Sequence, residues 1–337
     1  MRARGPGHDP GHEAPAGYSW GDYLAQLVAE HGSLAAVALK LAEVATSTDD
    51  VASIERALRR LRGRGNRDGG DWGRRLIRRF GLPHSVEGSL RWMGVYHGRF
   101  ADLPTSVCLD QLRLWDRPPV CESRARVWLQ LGLASVALRR REWDEAAQHL
   151  GQARLVGAVE AAARVELALT EAFLASQRRD RAQVAEALGE AGRLLEGDEV
   201  AAEERDCLHV RWIDQRAYQL NHPPDGQPAD WRGALALYGS IPREDVHPFV
   251  SYRRDAGQAY ARWRLGDRAE AAALAESACR HAGDGGYVRL RAMGLLLLSR
   301  ILGEVEGAAA RARAHAIARR LEDEELLGRA ARSRSPG

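Results

Sequence analysis

The sequence predicts an all-α protein in which a small helical bundle precedes a superhelix built from repeated helical hairpins. Alanine, leucine and arginine dominate over β-branched residues in the 337-residue chain, which favours helix over sheet. Apolar residues recur at intervals of three and four positions, the spacing that places them on one face of a helix. A helix-turn-helix pattern also returns several times in the second half of the chain, which indicates hairpins stacked on their neighbours.

The head of the chain, residues 18–82, predicts a compact basic bundle of four helices. Ser19, Ser33 and Asp50 are placed to cap the first three helices. The fourth helix, DWGRRLIRRFG, follows a loop of glycine, arginine and aspartate. We therefore expect four short amphipathic helices around one apolar core.

Residues 83–122 predict a connecting helical segment. Trp92, Tyr96 and Phe100 fall at helical spacing within it, although two glycines weaken that helix. We interpret this aromatic stripe as core that seals the head onto the body of the protein. The alternative is that the aromatic cluster surrounds a pocket.

Residues 123–325 predict a solenoid of helical hairpins. The second helix of the hairpin recurs with Ala146, Val184, Ala234 and Ala271 in equivalent positions, at intervals of 38, 50 and 37 residues. A proline-rich loop accounts for most of the longer interval. A period in the high thirties with two helices per unit is the signature of an α-solenoid. The recurring units stand at 141–153, 179–191, 229–241, 266–278 and 304–318.

The hairpin at 252–282 is the clearest of these units. Gly266 is placed to adopt the left-handed conformation that ends its first helix, and Asp267 is placed to cap the second. Small residues would allow the two helix backbones to approach closely at Ala259, Ala271, Ala275 and Ala278.

These hairpins resemble the tetratricopeptide repeat family. The first repeat carries the family's pattern at Leu133, Ala134, Ala146, Leu150 and Ala153, and the fourth carries it at Ala259, Gly266, Ala271, Ala275 and Ala278. The units here are longer than the family's repeat of about 34 residues, and the first has Arg141 where the turn glycine stands. The resemblance implies a concave groove for a peptide or protein partner. In this register the groove is lined by Trp128, Gln130, Trp212, Gln215, Tyr252 and Arg262.

The head carries a strong local charge. Ten arginines and two aspartates fall between Arg56 and Arg79, a local charge of +8 in a chain whose net charge is +3. The second and third helices resemble the helix-turn-helix of bacterial regulators, although their connection, ATSTDD, is longer than usual by about three residues. Such a head attracts the phosphates of DNA. The candidate nucleic-acid-binding residues are Arg56, Arg59, Arg60, Arg62, Arg64, Arg67, Arg74 and Arg78.

Two other interpretations of the basic head stay open. Its arginine-rich face either remains solvated or docks onto an acidic protein. The fourth helix, being basic and amphipathic, also has the character of a helix that lies on anionic lipid.

The chain contains no motif that predicts an enzyme, so we expect no catalytic residue. It has no phosphate-binding glycine loop and no nucleophile elbow, and we interpret its paired acids and its histidines, His97 and His209 among them, as structural or exposed. The four cysteines have no paired spacing, which predicts reduced thiols and neither a metal site nor a cofactor.

The ends of the chain and its hydropathy predict a protein without a membrane partner. Residues 1–17 predict a disordered tail without the apolar core of a signal peptide, and residues 326–337 predict a flexible tail. The longest aliphatic run, 295–298, is too short to cross a bilayer. We therefore expect a cytoplasmic protein.

Taken together, these patterns predict an interaction protein, specifically a transcription regulator. Its repeat groove would bind a peptide or protein partner, and its basic head would bind double-stranded DNA. The alternative is a scaffold or adaptor in a protein complex that does not bind DNA.

Overall fold

A computed structural model describes residues 17–43, 50–157, 160–223, 226–242 and 247–332 of the chain. All regular structure within these ranges is helical, as the sequence predicts, and no strand occurs in them. Contacts between Cα atoms divide the chain into two units. The first contains the residues up to 83 together with 113–123, and the second contains 84–112 and the residues from 124 onward.

The first unit is a small bundle of short helices. Ser19, Ser33 and Asp50 cap the first three helices as predicted, because each side chain accepts a hydrogen bond from a backbone N–H of the first turn. The predicted ATSTDD turn lies outside the described residues except for its last aspartate. The helices are α1 (Trp20–His31), α2 (Leu34–Ala42), α3 (Val51–Arg62) and α4 (Gly70–Phe80).

Trp20 occupies the centre of this bundle. The side chain is fully buried, and its indole Nε1 donates to the carbonyl oxygen of Arg67 at 2.9 Å. A Cβ atom added to Gly69 or Gly73 would lie 2.3 or 2.7 Å from the Trp20 ring, closer than any real contact. Gly69 and Gly73 are therefore required by packing against this one side chain.

The second unit begins with α5 (His84–Gly94), and α6 (Thr105–Trp115) starts in it and ends in the first unit. The prediction of one helix through Trp92, Tyr96 and Phe100 is wrong, since α5 ends at Gly94 and a short 3-10 turn follows at Arg99–Asp102. Gly94 packs against the backbone of Trp128, where an added Cβ would lie 2.3 Å from the carbonyl oxygen. Because the helix ends at Gly94, Tyr96 does not share a helix face with Trp92.

The remaining helices alternate between an inner and an outer position. The inner helices are α7 (Arg126–Arg140), α9 (Ala161–Arg178), α11 (Ala202–Asn221), α13 (Pro248–Arg264), α15 (Val288–Leu302) and α17 (Glu324–Arg332). The outer helices are α8 (Trp143–Leu155), α10 (Arg181–Glu196), α12 (Trp231–Gly239), α14 (Arg268–Asp284) and α16 (Ala308–Arg320).

Several of the connections between these helices share one turn. At Gly266, φ is 95°, and the backbone N–H groups of Gly266 and Asp267 donate back to Trp263 and Arg262 at 3.1 and 3.0 Å, which forms a Schellman turn. The predictions for Gly266 and Asp267 are thus confirmed, since Asp267 also caps α14. The same pair of hydrogen bonds and a positive φ occur at Arg141, Arg179, Gly286 and Glu322.

The small residues that define the repeat lie between paired helices. Ala146, Val184, Ala234 and Ala271 are at most 3% exposed, so the equivalent positions in the sequence are equivalent in packing. The close approach of α13 and α14 is confirmed by four alanines with no exposed surface, Ala259, Ala271, Ala275 and Ala278.

The inner helices of the second unit form a closed circuit. Each one packs against the next, and α17 packs against α7, the first of them. Arg139 at the end of α7 forms an ion pair at 3.1 Å with Asp323, which directly precedes α17. The ordered array extends to Arg332, beyond the predicted boundary at 325, and buries Leu326 in its interior. The hairpins therefore complete one superhelical turn instead of forming an open groove.

Candidate ligand-binding cavity

A cavity of about 450 Å³ lies at the centre of the second unit. Side chains from all six inner helices and from the segment 94–101 line it. Each inner helix contributes residues spaced by about one turn, such as Arg253, Ala256 and Tyr260 on α13, because one face of each helix points inward. The volume lies within the range of small-molecule binding sites.

Tyr96 marks the floor of the cavity. Its hydroxyl oxygen accepts hydrogen bonds from Nη2 of Arg253 at 2.8 Å and from Nη1 of Arg289 at 3.1 Å. The guanidinium of Arg211 lies over the Tyr96 ring, 4.4 Å from its centroid. Burial alone would raise the pKa of Tyr96, but the three positive charges outweigh burial and lower that pKa below its ordinary value.

Each of these three arginines is held by an acid. Arg253 Nη1 lies 2.7 Å from Asp214 Oδ2, and Arg211 Nη1 lies 2.5 Å from Glu166 Oε2. Arg289 contacts two carboxylates, those of Asp323 at 2.8 Å and Glu325 at 3.2 Å. Buried charges require such partners, and these pairs fix the guanidinium groups in place around Tyr96.

Asp323 connects the two ends of the circuit. Its carboxylate has no exposed surface and pairs with both Arg139 and Arg289. Burial raises the pKa of Asp323, but these two guanidinium groups more than compensate and lower it below its usual value. The residue therefore stays ionised and links α7, α15 and α17.

The Asp214 carboxylate is oriented by an outer helix. Tyr238 of α12 donates its hydroxyl to Asp214 Oδ1 at 2.7 Å, while Oδ2 of the same carboxylate faces Arg253. The Tyr238 ring reaches this position by lying against Gly257, where an added Cβ would be 2.1 Å from the ring. A chain of contacts thus runs from α12 through Asp214 and Arg253 to Tyr96.

Aromatic rings surround the other end of the cavity. Tyr218 stacks on His222 with 4.2 Å between ring centroids, and Tyr260 continues the stack at 6.0 Å from His222. Tyr218 is 43% exposed, and His222 and Gln177 are also exposed, so the cavity opens at the carboxyl ends of α9 and α11. This aromatic mouth (Tyr218, His222 and Tyr260) lies about 10 Å from the floor, the rise over the seven residues from Arg253 to Tyr260.

The cavity carries an excess of positive charge. Six guanidinium groups line it together with three carboxylates, those of Glu166, Asp214 and Glu325. Two further carboxylates lie behind the lining: Asp323 pairs with Arg139 and Arg289, and Asp102 accepts a hydrogen bond from the backbone N–H of Arg289. Six guanidinium groups therefore face five carboxylates, which leaves an excess of one. The arginines are Arg139, Arg211, Arg253, Arg289, Arg300 and Arg329.

Two buried polar atoms of the cavity residues also have no hydrogen-bond partner among the described residues. They are Nε of Arg253 and Oδ1 of Asn221. Buried polar groups are nearly always paired in proteins, so unpaired ones at a cavity are consistent with a bound ligand or water.

Two of the predicted groove residues, Gln215 and Tyr252, line the cavity. The other four have local partners away from it. Trp128 Nε1 donates to Glu160 at 2.8 Å, Trp212 Nε1 donates to the Leu188 carbonyl at 2.9 Å, Gln130 contacts His149 at 2.9 Å, and Arg262 pairs with Asp267 at 3.0 Å.

Arg211, Arg253 and Arg289 were not identified as site residues from the sequence, although the sequence contains a pattern that indicates them. Arg253 lies among Phe249, Tyr252 and Ala256, so the amphipathic register of α13 places this arginine on the buried face. An arginine on the apolar side of a helix needs a buried partner, and Arg211 and Arg289 follow the same pattern.

In the first unit all eight predicted nucleic-acid-binding arginines are exposed. Arg59 pairs with Glu55 at 2.5 Å and Arg74 with Asp71 at 2.7 Å, while Arg64 donates to the Asp68 carbonyl at 2.7 Å. No ion pair within the described chain involves Arg56, Arg60, Arg62, Arg67 or Arg78.

The described residues contain neither a metal-binding group nor a membrane-spanning helix. No group of three or more His, Cys, Asp or Glu side chains among them is placed to hold a metal ion, and none of their helices is long and apolar enough to cross a bilayer. The four cysteines are free thiols.

The described fold defines an all-helical hairpin array around a central cavity. Comparison of the chain with models of protein families, with curated proteins and with solved structures gives no match.

Proposed function

We propose that this protein is a regulator whose second unit binds a small ligand in the central cavity and whose first unit binds double-stranded DNA. The observation that carries the proposal is the cavity of about 450 Å³ with its buried arginine cluster. A cavity of this size suits a small molecule or the end of a peptide better than a folded partner. The likeness of the hairpins to tetratricopeptide repeats, with their role in recognition, is part of this proposal.

A binding role, rather than a catalytic one, is consistent with the side chains at the floor. The acids there are engaged with arginines, so none is placed as a free base. The nearby His97 has a pKa lowered to about 3, chiefly by burial, so near neutral pH it is neutral and a weak base.

The DNA-binding role of the first unit is supported by its exposed arginines. The helices α2 and α3 pack against each other with α1 behind them, the arrangement in which a supporting helix presents a second helix to the major groove. Arg56, Arg59, Arg60 and Arg62 are exposed on α3 and would attract phosphates. That α2 and α3 act as a helix-turn-helix motif is part of the proposed function.

The alternative is a scaffold or adaptor without DNA binding. It is favoured by the pairing of Arg59 and Arg74 with acids of their own helices, which shows that this surface also accommodates carboxylates. In this case the arginine-rich face would dock onto an acidic protein.

Fluorescence anisotropy with random duplex DNA at two salt concentrations tests the proposal. We expect binding that weakens steeply with salt, and we expect the Arg56/Arg59/Arg60/Arg62→Ala variant to lose it. The matched control, Arg280/Arg313/Arg319/Arg320→Ala, removes the same number of exposed charges from the second unit and should retain binding. If both variants lost DNA affinity equally, or if the wild type did not bind DNA at low salt, the DNA-binding role of the first unit would be rejected in favour of the scaffold or adaptor.

A further inference from the structure

We infer that the ligand of the central cavity is an organic oxyanion that carries a planar ring, with its anionic group at Tyr96 and its ring at the aromatic mouth. This inference rests on the proposed ligand-binding role of the cavity and specifies the chemistry of the ligand. Three features of the described residues support it: the hydrogen-bond donors without acceptors at the floor, the rings at the mouth and the distance between them.

The floor favours an anion. Across the whole cavity six guanidinium groups face five carboxylates, so an anionic group balances the remaining positive charge. Arg253 and Arg289 converge on one oxygen atom, that of Tyr96, and the buried Nε of Arg253 is a charged donor without an acceptor among the described residues, which a carboxylate or phosphate oxygen would supply. A cationic ligand would meet the same guanidinium groups unfavourably.

The Tyr96 hydroxyl supplies a further reason. Its oxygen already accepts hydrogen bonds from two guanidinium groups, and its own proton has no acceptor among the described residues. An oxyanion in the cavity provides that acceptor, and a hydrogen bond from a hydroxyl to a charged oxygen is among the strong ones.

The mouth favours a planar ring. Tyr218 and His222 are nearly parallel, with 21° between their planes, and Tyr260 lies within 18° of His222. These rings line the cavity and leave part of Tyr218 exposed, so an aromatic or heteroaromatic group can stack there at little cost.

The distance between the floor and the aromatic mouth of the cavity determines the length of the ligand. The mouth lies about 10 Å from the floor along α13, a distance that a ring joined to an acid by a short chain spans. Carboxylate and phosphate share the chemistry that the floor requires, and the two probes below distinguish these two sources of the oxyanion.

Isothermal titration of the full chain with 4-phenylbutanoate and 3-phenylpropyl phosphate tests the inference. We expect at least one of them to bind, the tighter one identifying the acid group. The uncharged 4-phenylbutanamide has the same ring and length and should bind at least about 10-fold more weakly, since a hydrogen bond to a charged group contributes more than one to a neutral group.

Two variants locate the ends of the probe. Tyr96→Phe keeps the ring and the ion pairs of Arg253 and Arg289 with their acids, and it should weaken binding of the acid by about 10-fold or more while leaving the amide unchanged. Tyr218→Ala, at the exposed mouth, should weaken acid and amide to a similar degree. Thermal melting checks that each variant folds like the wild type.

The outcomes separate the inference from the proposed function. Equal affinity for acid and amide would overturn the anionic ligand while leaving a ligand-binding cavity. Acid binding unaffected by Tyr96→Phe would overturn the assigned position of the anion. Absence of binding by all three probes would overturn the inference, whereas the DNA-binding proposal is tested by anisotropy on the same protein and does not depend on this result.

Discussion

At the scale of single residues, Arg141 and Arg179 adopt a backbone conformation that glycine usually occupies. Their φ angles are 63° and 61°, in the left-handed region, and they end helices α7 and α9 in the same turn that Gly266 forms after α13. A left-handed conformation costs an L-residue about 1–2 kcal/mol, so the repeat tolerates strain at these turns. The sequence marks Arg141 as a departure from the repeat pattern, but it does not reveal that the turn persists.

We expect Arg179→Gly to stabilise the protein by about 0.5–1 kcal/mol, because relief of the left-handed strain outweighs the greater flexibility of glycine in the unfolded chain. Urea denaturation measures the change. Gly266→Ala, which places a side chain at a φ of 95°, is the opposite control and should be destabilising. The same sign for both variants would contradict this explanation.

His97 provides a pH dependence of stability. Its pKa in the folded protein is lowered to about 3, mainly by burial and further by the charge of Arg211, whereas the ordinary value is 6.5. Because the unfolded chain takes up a proton first, the stabilisation is fully present above pH 6.5 and decreases as pH falls towards 3.

We expect the wild type to lose up to about 1.4 kcal/mol per pH unit from this group below pH 6.5, and His97→Gln to lose correspondingly less. Unfolding free energies measured between neutral and acidic pH give the difference. His315→Gln, at an exposed position of α16, serves as the control and should follow the wild type. Parallel pH profiles for wild type and His97→Gln would show that His97 is accessible to protons in the folded state.

At the scale of helices, local patterns predict much of the structure. The caps of α1, α2 and α3, the turn at Gly266 and the alanines between α13 and α14 all depend on residues close in sequence or on a repeated register, and all are confirmed. The aromatic stripe was misassigned because the end of α5 depends on Gly94 packing against a helix that begins more than thirty residues later. Tertiary contact, rather than propensity, decided that boundary.

The contact between α12 and α13 depends on one glycine. We expect Gly257→Ala to destabilise the protein by about 1–3 kcal/mol, because the added Cβ would lie 2.1 Å from the buried Tyr238 ring. Thermal or urea unfolding measures the loss. Gly151→Ala is the matched helical control, since a Cβ at Gly151 has no neighbour within 4 Å and should be stabilising by about 0.5–1 kcal/mol. A neutral Gly257→Ala would mean that Tyr238 moves without cost.

At the scale of the whole second unit, the cavity exists because the array closes. The sequence predicts hairpins and their order, but the rotation from one hairpin to the next is the sum of many packing contacts, and no local pattern encodes it. The contact of α17 with α7, and with it the cavity and its arginine cluster, therefore lay beyond sequence reasoning. Gln215 and Tyr252, which the sequence placed in a partner groove, line this cavity.

Closure should make the array unfold as one unit. We expect Asp323→Asn to cost about 3 kcal/mol, because it leaves buried arginines poorly paired while keeping the cap of α17. Hydrogen exchange should then accelerate first in α7 and α17, the helices that this carboxylate joins.

The control for closure is Asp144→Asn, which weakens an exposed ion pair with Arg178 between neighbouring hairpins. It should change stability by less than about 1 kcal/mol and leave exchange in α7 and α17 unchanged. Uniform acceleration in both variants would indicate that the array behaves as an open chain of hairpins.

The contact between the first and last inner helices also restricts how such a protein can change in length. An open solenoid gains or loses hairpins by duplication and deletion, because each unit contacts only its neighbours. In the described array one more hairpin would separate α17 from α7 and leave Asp323 without Arg139, and one fewer would make the ends collide. The number of hairpins is therefore part of the architecture, and variation in this protein should occur by substitution within the units and not by change of their copy number.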